Sequence, residues 1–271
     1  MKIIIRGGGD TGSAVSYYLF KAGFRNLIIL EREKPTAIRR FVSFASAVYY
    51  NEVEVEGIRA KRVNFEDLNK NLDFIPVIID EKGEILEKYK PDVIIDAVLS
   101  KRFFRKYNLN DYFVIGLGPE FIPSKNCHVA IETKRGHNLG RIYYKEKPEK
   151  PTGIPGEIAG FTEERILRAP ISGVVKHEKD IGDLVKKGQI VCFVNDIPVY
   201  SKIDGIIRGL IEEIEVKKGQ KIGDVDPRGI KEYCYTISDK SRCIAGSVLL
   251  AVLNLILNFH NYSATFLLWE N

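Results

Sequence analysis

An apolar run at residues 2–6, KIIIR, opens directly into a glycine turn, GGGDTG (residues 7–12), and then into AVSYYLFKAG. In that last stretch Ala14, Val15, Tyr18, Leu19 and Ala22 recur at helical spacing, so the order is strand, glycine turn, helix. A second apolar run, residues 27–30, ends in Glu31, about twenty residues past the glycines, where a dinucleotide fold places its ribose-binding acid. The glycines have separate physical tasks in such a turn. Gly7 permits the tight bend, Gly8 and Gly9 let backbone N–H groups approach a pyrophosphate, and Gly12 lets the helix lie close to the strand. Thr11 and the helix N-terminus add donors and partial positive charge. Asp10 sits badly with this scheme, because a carboxylate within about 4 Å of a phosphate is repelled by around 4 kcal/mol at an effective dielectric near 20. Two roles therefore stand open for it: capping the helix, or meeting a ligand through a bridging cation or amine.

Further strands are expected at residues 76–80, 92–98 and 112–116, which extends the first pair into a parallel, doubly wound, Rossmann-like α/β sheet. Ligands of such sheets lie beyond the strand C-termini. Asp96, Ser100, Lys101 and the turn Gly116-Leu117-Gly118-Pro119 fall on that edge, GLGP being either a second set of backbone donors or a plain strand-ending turn. PTAIRRFVSFASAVYY (residues 35–50) reads as a helix that offers Arg39 and Arg40 to an anion or to water, and VEVEGIRAKRV alternates like a hairpin. ETKRGHNLGR (residues 132–141) gathers Glu132, Lys134, Arg135, His137 and Arg141, an oxyanion-binding combination or a solvated surface loop. For catalysis the candidates are His137, oriented by Glu132, and Lys101.

The second half repeats itself: LRAPISGVVKHEKDIGDLVKKGQIVCFV is echoed by VYSKIDGIIRGLIEEIEVKKGQKIGDV. Short glycine-broken strands in two interlocked halves suit a small all-β barrel, and the VKKGQ turns resemble those of the barrel-sandwich hybrid fold of biotinyl and lipoyl domains. The connection between the halves, Val194-Asn195-Asp196-Ile197-Pro198, has no lysine at its tip, so neither biotin nor lipoate is expected. The expected organisation is a nucleotide-binding domain at 1–150, a proline-rich linker at 151–166, the barrel at 167–230, and a C-terminal helical segment at 231–271 that packs back on the first domain. Its apolar run, residues 243–257, is shorter than the ~20 residues a bilayer requires, so no membrane association is expected. An apolar tail end would instead favour self-association, so a homo-oligomer is among the expected states.

Charge and cysteines narrow the classes. With 41 basic and 36 acidic residues, net +5 and no long block of one sign, no nucleic-acid partner is implied. Cys127, Cys192, Cys234 and Cys243 show neither CxxC spacing nor ligand spacing to a histidine, so no metal site is expected and a reducing compartment fits. The start of the chain lacks signal-peptide features, which makes the cytoplasm the expected location.

Taken together, Pro35-Thr36-Ala37-Ile38-Arg39-Arg40, GLGP, ETKRGHNLGR and TGIPG (residues 152–156) resemble the selenium-dependent molybdenum hydroxylase system accessory proteins, the YqeB-like family, from the first strand to the SDKSR segment. The resemblance implies an accessory role in maturing, or supplying cofactor to, such hydroxylases, in outline like the XdhC-type chaperones. It matches Gly7, Gly9 and Asp10 to the family's glycine-aspartate loop, Arg39 and Arg40 to its paired arginines, and Glu132, Arg135, Gly136, His137, Gly140 and Arg141 to its glycine-histidine loop. The expected ligand is nucleotide-like, NAD(P) or molybdenum cofactor, with Arg39, Arg40, Arg135 and Arg141 neutralising its phosphates and a molybdenum hydroxylase as client. An NAD(P)-dependent oxidoreductase and a non-catalytic scaffold are the alternatives.

Overall fold

The structure, a computed structural model, describes residues 1–68, 72–99 and 106–261. Its first unit is a nine-stranded sheet of β1 (Ile3–Arg6), β2 (Leu27–Glu31), β3 (Glu52–Val55), β4 (Ile58–Arg62), β5 (Ile75–Ile79), β6 (Val93–Asp96), β7 (Phe113–Leu117), β8 (Val129–Ile131) and β9 (Ile142–Tyr143). Their order across the sheet is β3-β4-β5-β2-β1-β6-β7-β8-β9. The central strand reads III without alternation because both its faces are covered: Ile3, Ile4 and Ile5 are all fully buried. On one face Ile3 and Ile5 meet α1 (Asp10–Lys21) and α4 (Asp239–Asn261). Ile4 faces the other way, toward Leu30, Ile94, Tyr107 and Phe121, and toward Leu86 of the one-turn helix α3 (Leu86–Tyr89).

The purely parallel, doubly wound Rossmann-like sheet is corrected by this topology. The sheet is mixed: β3 runs antiparallel to β4 and β9 antiparallel to β8. The first reversal follows from a two-residue turn in which Glu56 and Gly57 both take positive φ, the geometry that sends a strand straight back on its neighbour. Helical crossovers are also scarce. Among the described residues α1 is the one crossover helix longer than four residues, and residues 35–50 form two short 3-10 turns and the four-residue α2 (Ala47–Tyr50) instead of one long helix.

The second unit comprises β10 (Ile166–Arg168), β11 (Gly173–His177), β12 (Leu184–Val185), β13 (Ile190–Val194), β14 (Ile197–Tyr200), β15 (Gly205–Leu210), β16 (Glu215–Val216) and β17 (Lys221–Asp226). They form two four-stranded antiparallel sheets, β10-β17-β15-β12 and β14-β13-β11-β16. The expected closed biotinyl- or lipoyl-like barrel is therefore corrected to two sheets with open edges, their ladders interrupted by register shifts at Leu167/Arg168 and Ile207/Gly209. Val175, Val191, Ile207, Leu210 and Ile222 are fully buried between them. The chain then returns to the first unit. Ile244, Ala245, Val248 and Val252 of α4 lie in the same core as Ile5 and Leu19, which completes that face of the nine-stranded sheet. The stretch Asp239–Leu257 is long and apolar enough to cross a membrane by length and composition, but one face of it is buried in this core while Leu250, Leu253 and Leu257 are exposed.

Candidate functional site

A cleft of about 530 Å³ opens at the C-terminal ends of β1, β2, β5 and β6. Its wall begins at the glycine turn. Gly7 adopts φ +91°, a conformation an L side chain rarely takes. A Cβ on Gly12 would lie 1.9 Å from the Gly7 carbonyl oxygen, so the glycine is what allows α1 to start against the turn. Gly9 is the N-cap of α1, without a side-chain cap, and its Cβ position faces open space. Gly9, Asp10 and Thr11 line the cleft, so the unpaired amides of the helix's first turn, with their partial positive charge, are presented there.

Glu31 closes the second side. Its carboxylate accepts hydrogen bonds from the Gly8 N–H (2.8 Å) and the Arg32 N–H (2.9 Å), which ties the end of β2 to the turn. Burial pushes this carboxyl above its ordinary range, against the pull of those two amides. Arg32 reaches the Thr36 hydroxyl (2.6 Å), and Thr36, Ala37 and Ala45 form the outer wall. Arg6, Asp80, Glu81, Val98 and Leu99 complete the lining. Asp80 is committed locally, accepting from the amides of Glu84 and Ile85 at 2.9 Å each.

Of the residues expected here, Gly7, Gly9, Asp10, Thr11 and Glu31 come together on the cleft, with Gly8 and Gly12 beneath them. Asp96 lies at the same edge but is buried in a closed arrangement. It accepts from Arg6 (2.9 Å) and from the Tyr107 hydroxyl (2.6 Å), and both burial and Asp96's charge push the Tyr107 phenol above its normal range. Gly116 serves packing, since a Cβ there would overlap the Phe121 ring at 1.9 Å. Gly118, at φ +104°, stands beside Thr133 and Leu99. Lys101 lies outside the described residues.

Asp10 lines the cleft but forms no side-chain cap on α1. It pairs with Arg39 (3.0 Å) and accepts the Ser241 hydroxyl (2.9 Å), joining the starts of α1 and α4. The arginines expected to neutralise a phosphate are spread over other contacts. Arg39 also donates to the carbonyls of Tyr233 (2.8 Å) and Thr236 (2.6 Å). Arg40, almost wholly buried, donates to the Leu210 carbonyl and pairs with Asp180 and Glu212. Arg135 makes a two-pronged bond to Asp239, at 2.6 and 2.7 Å, which with other nearby charges holds that carboxyl below its usual range. Arg141 lies over the Tyr143 ring and near Glu146 at 3.9 Å. Glu132, fully buried, spends its oxygens on the amides of Thr133, Lys134 and Glu149, so it does not orient the exposed His137. The expected four-arginine pocket is thus corrected: none of the four lines the cleft, and each guanidinium is turned to an acid, a carbonyl or a ring of the protein itself.

Arg6, Ala45, Asp80 and Glu81 are not among the residues the sequence singles out, and Thr36 enters there only as part of the PTAIRR motif. The signal available for two of them was position alone, Arg6 and Asp80 being the last residues of apolar runs that end on this edge.

No protein-family model matches the chain. It is 40% identical over 258 residues to the uncharacterized protein YqeB of Escherichia coli strain K12, an alignment that takes in 94% of this chain and 48% of that one, so the chain spans about half the length of the curated relative it matches. Among solved structures, a succinylglutamate desuccinylase from Silicibacter aligns over 83% of this chain and 84% of its own with a TM-score of 0.26 and 11% identity. The apo ectoine utilization protein EutE of Ruegeria pomeroyi aligns over 83% and 85% with a TM-score of 0.25 and 8% identity. An aspartoacylase family protein from Mesorhizobium loti aligns over 83% and 51% with a TM-score of 0.22 and 8% identity. At these scores the fold is read from the chain's own sheets.

Proposed function

We propose that this chain is an accessory protein in the maturation of a selenium-dependent molybdenum hydroxylase and that it holds a nucleotide-like small molecule, NAD(P) or molybdenum cofactor, in the glycine-turn cleft. The observation that carries the ligand half is the pairing of the open first turn of α1 with the Glu31 carboxylate across one cleft of about 530 Å³. The amides suit a phosphate, the carboxylate suits a sugar diol, and the volume is that of an ordinary small-molecule site. The accessory half is supported by the 40% identity to YqeB and by the motifs of the YqeB-like proteins.

The lining also limits the ligand's charge. Asp10, Glu31, Asp80 and Glu81 stand around the cleft against Arg6 and Arg32, and Arg6 is bound to Asp96. A compact phosphate or pyrophosphate group seated on the α1 amides suits this balance better than an extended triphosphate. Calorimetry and thermal unfolding with NAD(H), NADP(H), CTP, GTP and molybdenum cofactor test the reading. A ligand at a hundredfold excess over its Kd adds about 2.7 kcal/mol of stability. The proposal expects this from a dinucleotide or the molybdenum cofactor, and expects Glu31→Gln to weaken it. Stabilisation by none of them overturns the ligand half. Turnover of a nicotinamide replaces the accessory role with an oxidoreductase.

A further inference from the structure

Residues 32–46 run from the end of β2 across the cleft mouth and over to the second unit before returning to the glycine turn. At the cleft, Thr36, Ala37 and Ala45 are wall residues. Beyond it, the Ile38 carbonyl accepts the Leu210 N–H at 2.8 Å while Arg40 Nε donates to the Leu210 carbonyl at 2.8 Å, so the strap grips both sides of one residue at the end of β15. The fit is close: a Cβ on Gly209 would lie 2.7 Å from Ile38 Cγ2. Arg40 then reaches Asp180, Glu212 and the Tyr50 hydroxyl, and Tyr50 itself donates to Glu212 at 2.6 Å. On the return, the Ala45 N–H donates to the Gly8 carbonyl (2.8 Å) and the Phe44 N–H to Ser13 Oγ (2.7 Å), whose own hydroxyl donates to the same Gly8 carbonyl. Ser46 Oγ closes the loop onto the Arg40 carbonyl at 2.8 Å.

One short segment is thus clamped to the antiparallel sheets at 38–40 and to the glycine turn at 44–45, with cleft wall on either side of the first clamp. We infer that this strap couples the two units: the seating of the antiparallel sheets on Arg40 and the conformation of the glycine turn rise and fall together, so a ligand in the cleft tightens the attachment of the second unit. The mechanical part stands on the contacts just given, and the ligand part rests on the reading of the cleft proposed above. Arg40 is a positioning residue here, acting on the cleft through residues 41–46 without lining it. Coupling of this kind is reciprocal, so each end must report on the other.

Residue-resolved amide exchange of the full chain tests this, with Arg40→Met at one clamp and Ser13→Ala at the other. Arg40→Met is expected to speed exchange of the Leu210 amide and also, by about fivefold or more, of the Ala45 and Phe44 amides, since loss of one hydrogen bond changes an opening equilibrium by that order. Ser13→Ala is expected to speed the Leu210 amide in return, while Ile94 of β6 keeps its wild-type rate in both variants and so excludes general loosening. Arg40→Lys, which keeps charge but loses the fork, is expected to fall between. Separate behaviour of the two ends, each variant affecting its own clamp alone, overturns the coupling. NADH added to wild type is expected to slow the Leu210 amide. Binding of NADH without that slowing overturns the ligand part of the coupling, whereas absence of binding counts against NADH as the cleft's ligand and leaves the two-variant comparison to decide the mechanical part.

Discussion

Gly12 and Gly246 offer a matched pair of substitutions in which intrinsic helix preference pushes the same way and packing does not. Both lie within helices, Gly12 in the first turn of α1 and Gly246 inside α4. Replacing glycine by alanine in a helix gains up to about 1 kcal/mol. At Gly246 nothing lies within 4 Å of the new methyl, so Gly246→Ala is expected to stabilise the protein by about 0.5–1 kcal/mol. At Gly12 the methyl would lie 1.9 Å from the Gly7 carbonyl oxygen, 3.0 Å from its carbonyl carbon and 3.3 Å from Ala97 Cβ. Ordinary contact for such atoms is about 3.5 Å, so helix and turn must separate by more than 1 Å. The obstructing atoms are backbone, and the turn is held by the Gly7 N–H to the Leu30 carbonyl and the Gly8 N–H to Glu31, both 2.8 Å. Overpacking in a rigid interior costs about 1–3 kcal/mol and occasionally more. The upper end applies here, leaving Gly12→Ala destabilised by about 2 kcal/mol after the helical gain. Urea or guanidinium unfolding of both variants measures the difference directly. Equal stabilisation by the two substitutions would refute the claim that α1 is seated on the glycine turn by the absence of a side chain.

Arg6→Met strands the buried Asp96 carboxylate and is expected to cost about 3–5 kcal/mol, whereas Tyr107→Phe, which removes one of its donors, is expected to cost about 1–3 kcal/mol in the same unfolding assay. Glu31 gives a pH signature. Its carboxyl is raised by burial, so between its ordinary value of 4.5 and its higher folded value the native state holds more protons than the unfolded one, and stability falls as pH rises through that window. Denaturant midpoints measured across the window should therefore drift downward in wild type and lose that drift in Glu31→Gln. Leu257→Lys, at a position 63% exposed on α4, is expected to stay within about 0.5 kcal/mol of wild type, and a larger loss in monomeric protein would show that the stripe of Leu250, Leu253 and Leu257 is covered.

The parts of this molecule that were legible in the sequence are those fixed by near neighbours. The run KIIIR, the glycine turn and the amphipathic helix follow one another within about two dozen residues, and the Glu56-Gly57 hairpin is a local matter of two positive φ values. Glu31 was legible because strand length sets where β2 ends. The arginines were not, because their partners are carbonyls and carboxylates far along the chain: Arg40 reaches Leu210 and Arg39 reaches Tyr233, and no spacing rule announces such pairs. A cluster of basic residues near a glycine turn looks the same whether it awaits an anion or is already satisfied. Asp10 carries the same lesson, its partner Ser241 being 231 residues away. The antiparallel pair at the sheet's other edge is illegible for another reason, since β9 is two residues long and leaves almost no pattern to read.

The late arrival of α4 in the core of the first unit bears on how the polypeptide is made. Ile237, Ile244, Val248 and Val252 seal a surface laid down by Ile3, Ile5 and Leu19 more than two hundred positions earlier. On a ribosome that adds roughly 5–20 residues per second, the opening sheet must wait about ten seconds or longer with that flank unsealed. A cell making this protein therefore gains from anything that shelters the nascent flank until translation reaches the closing helix.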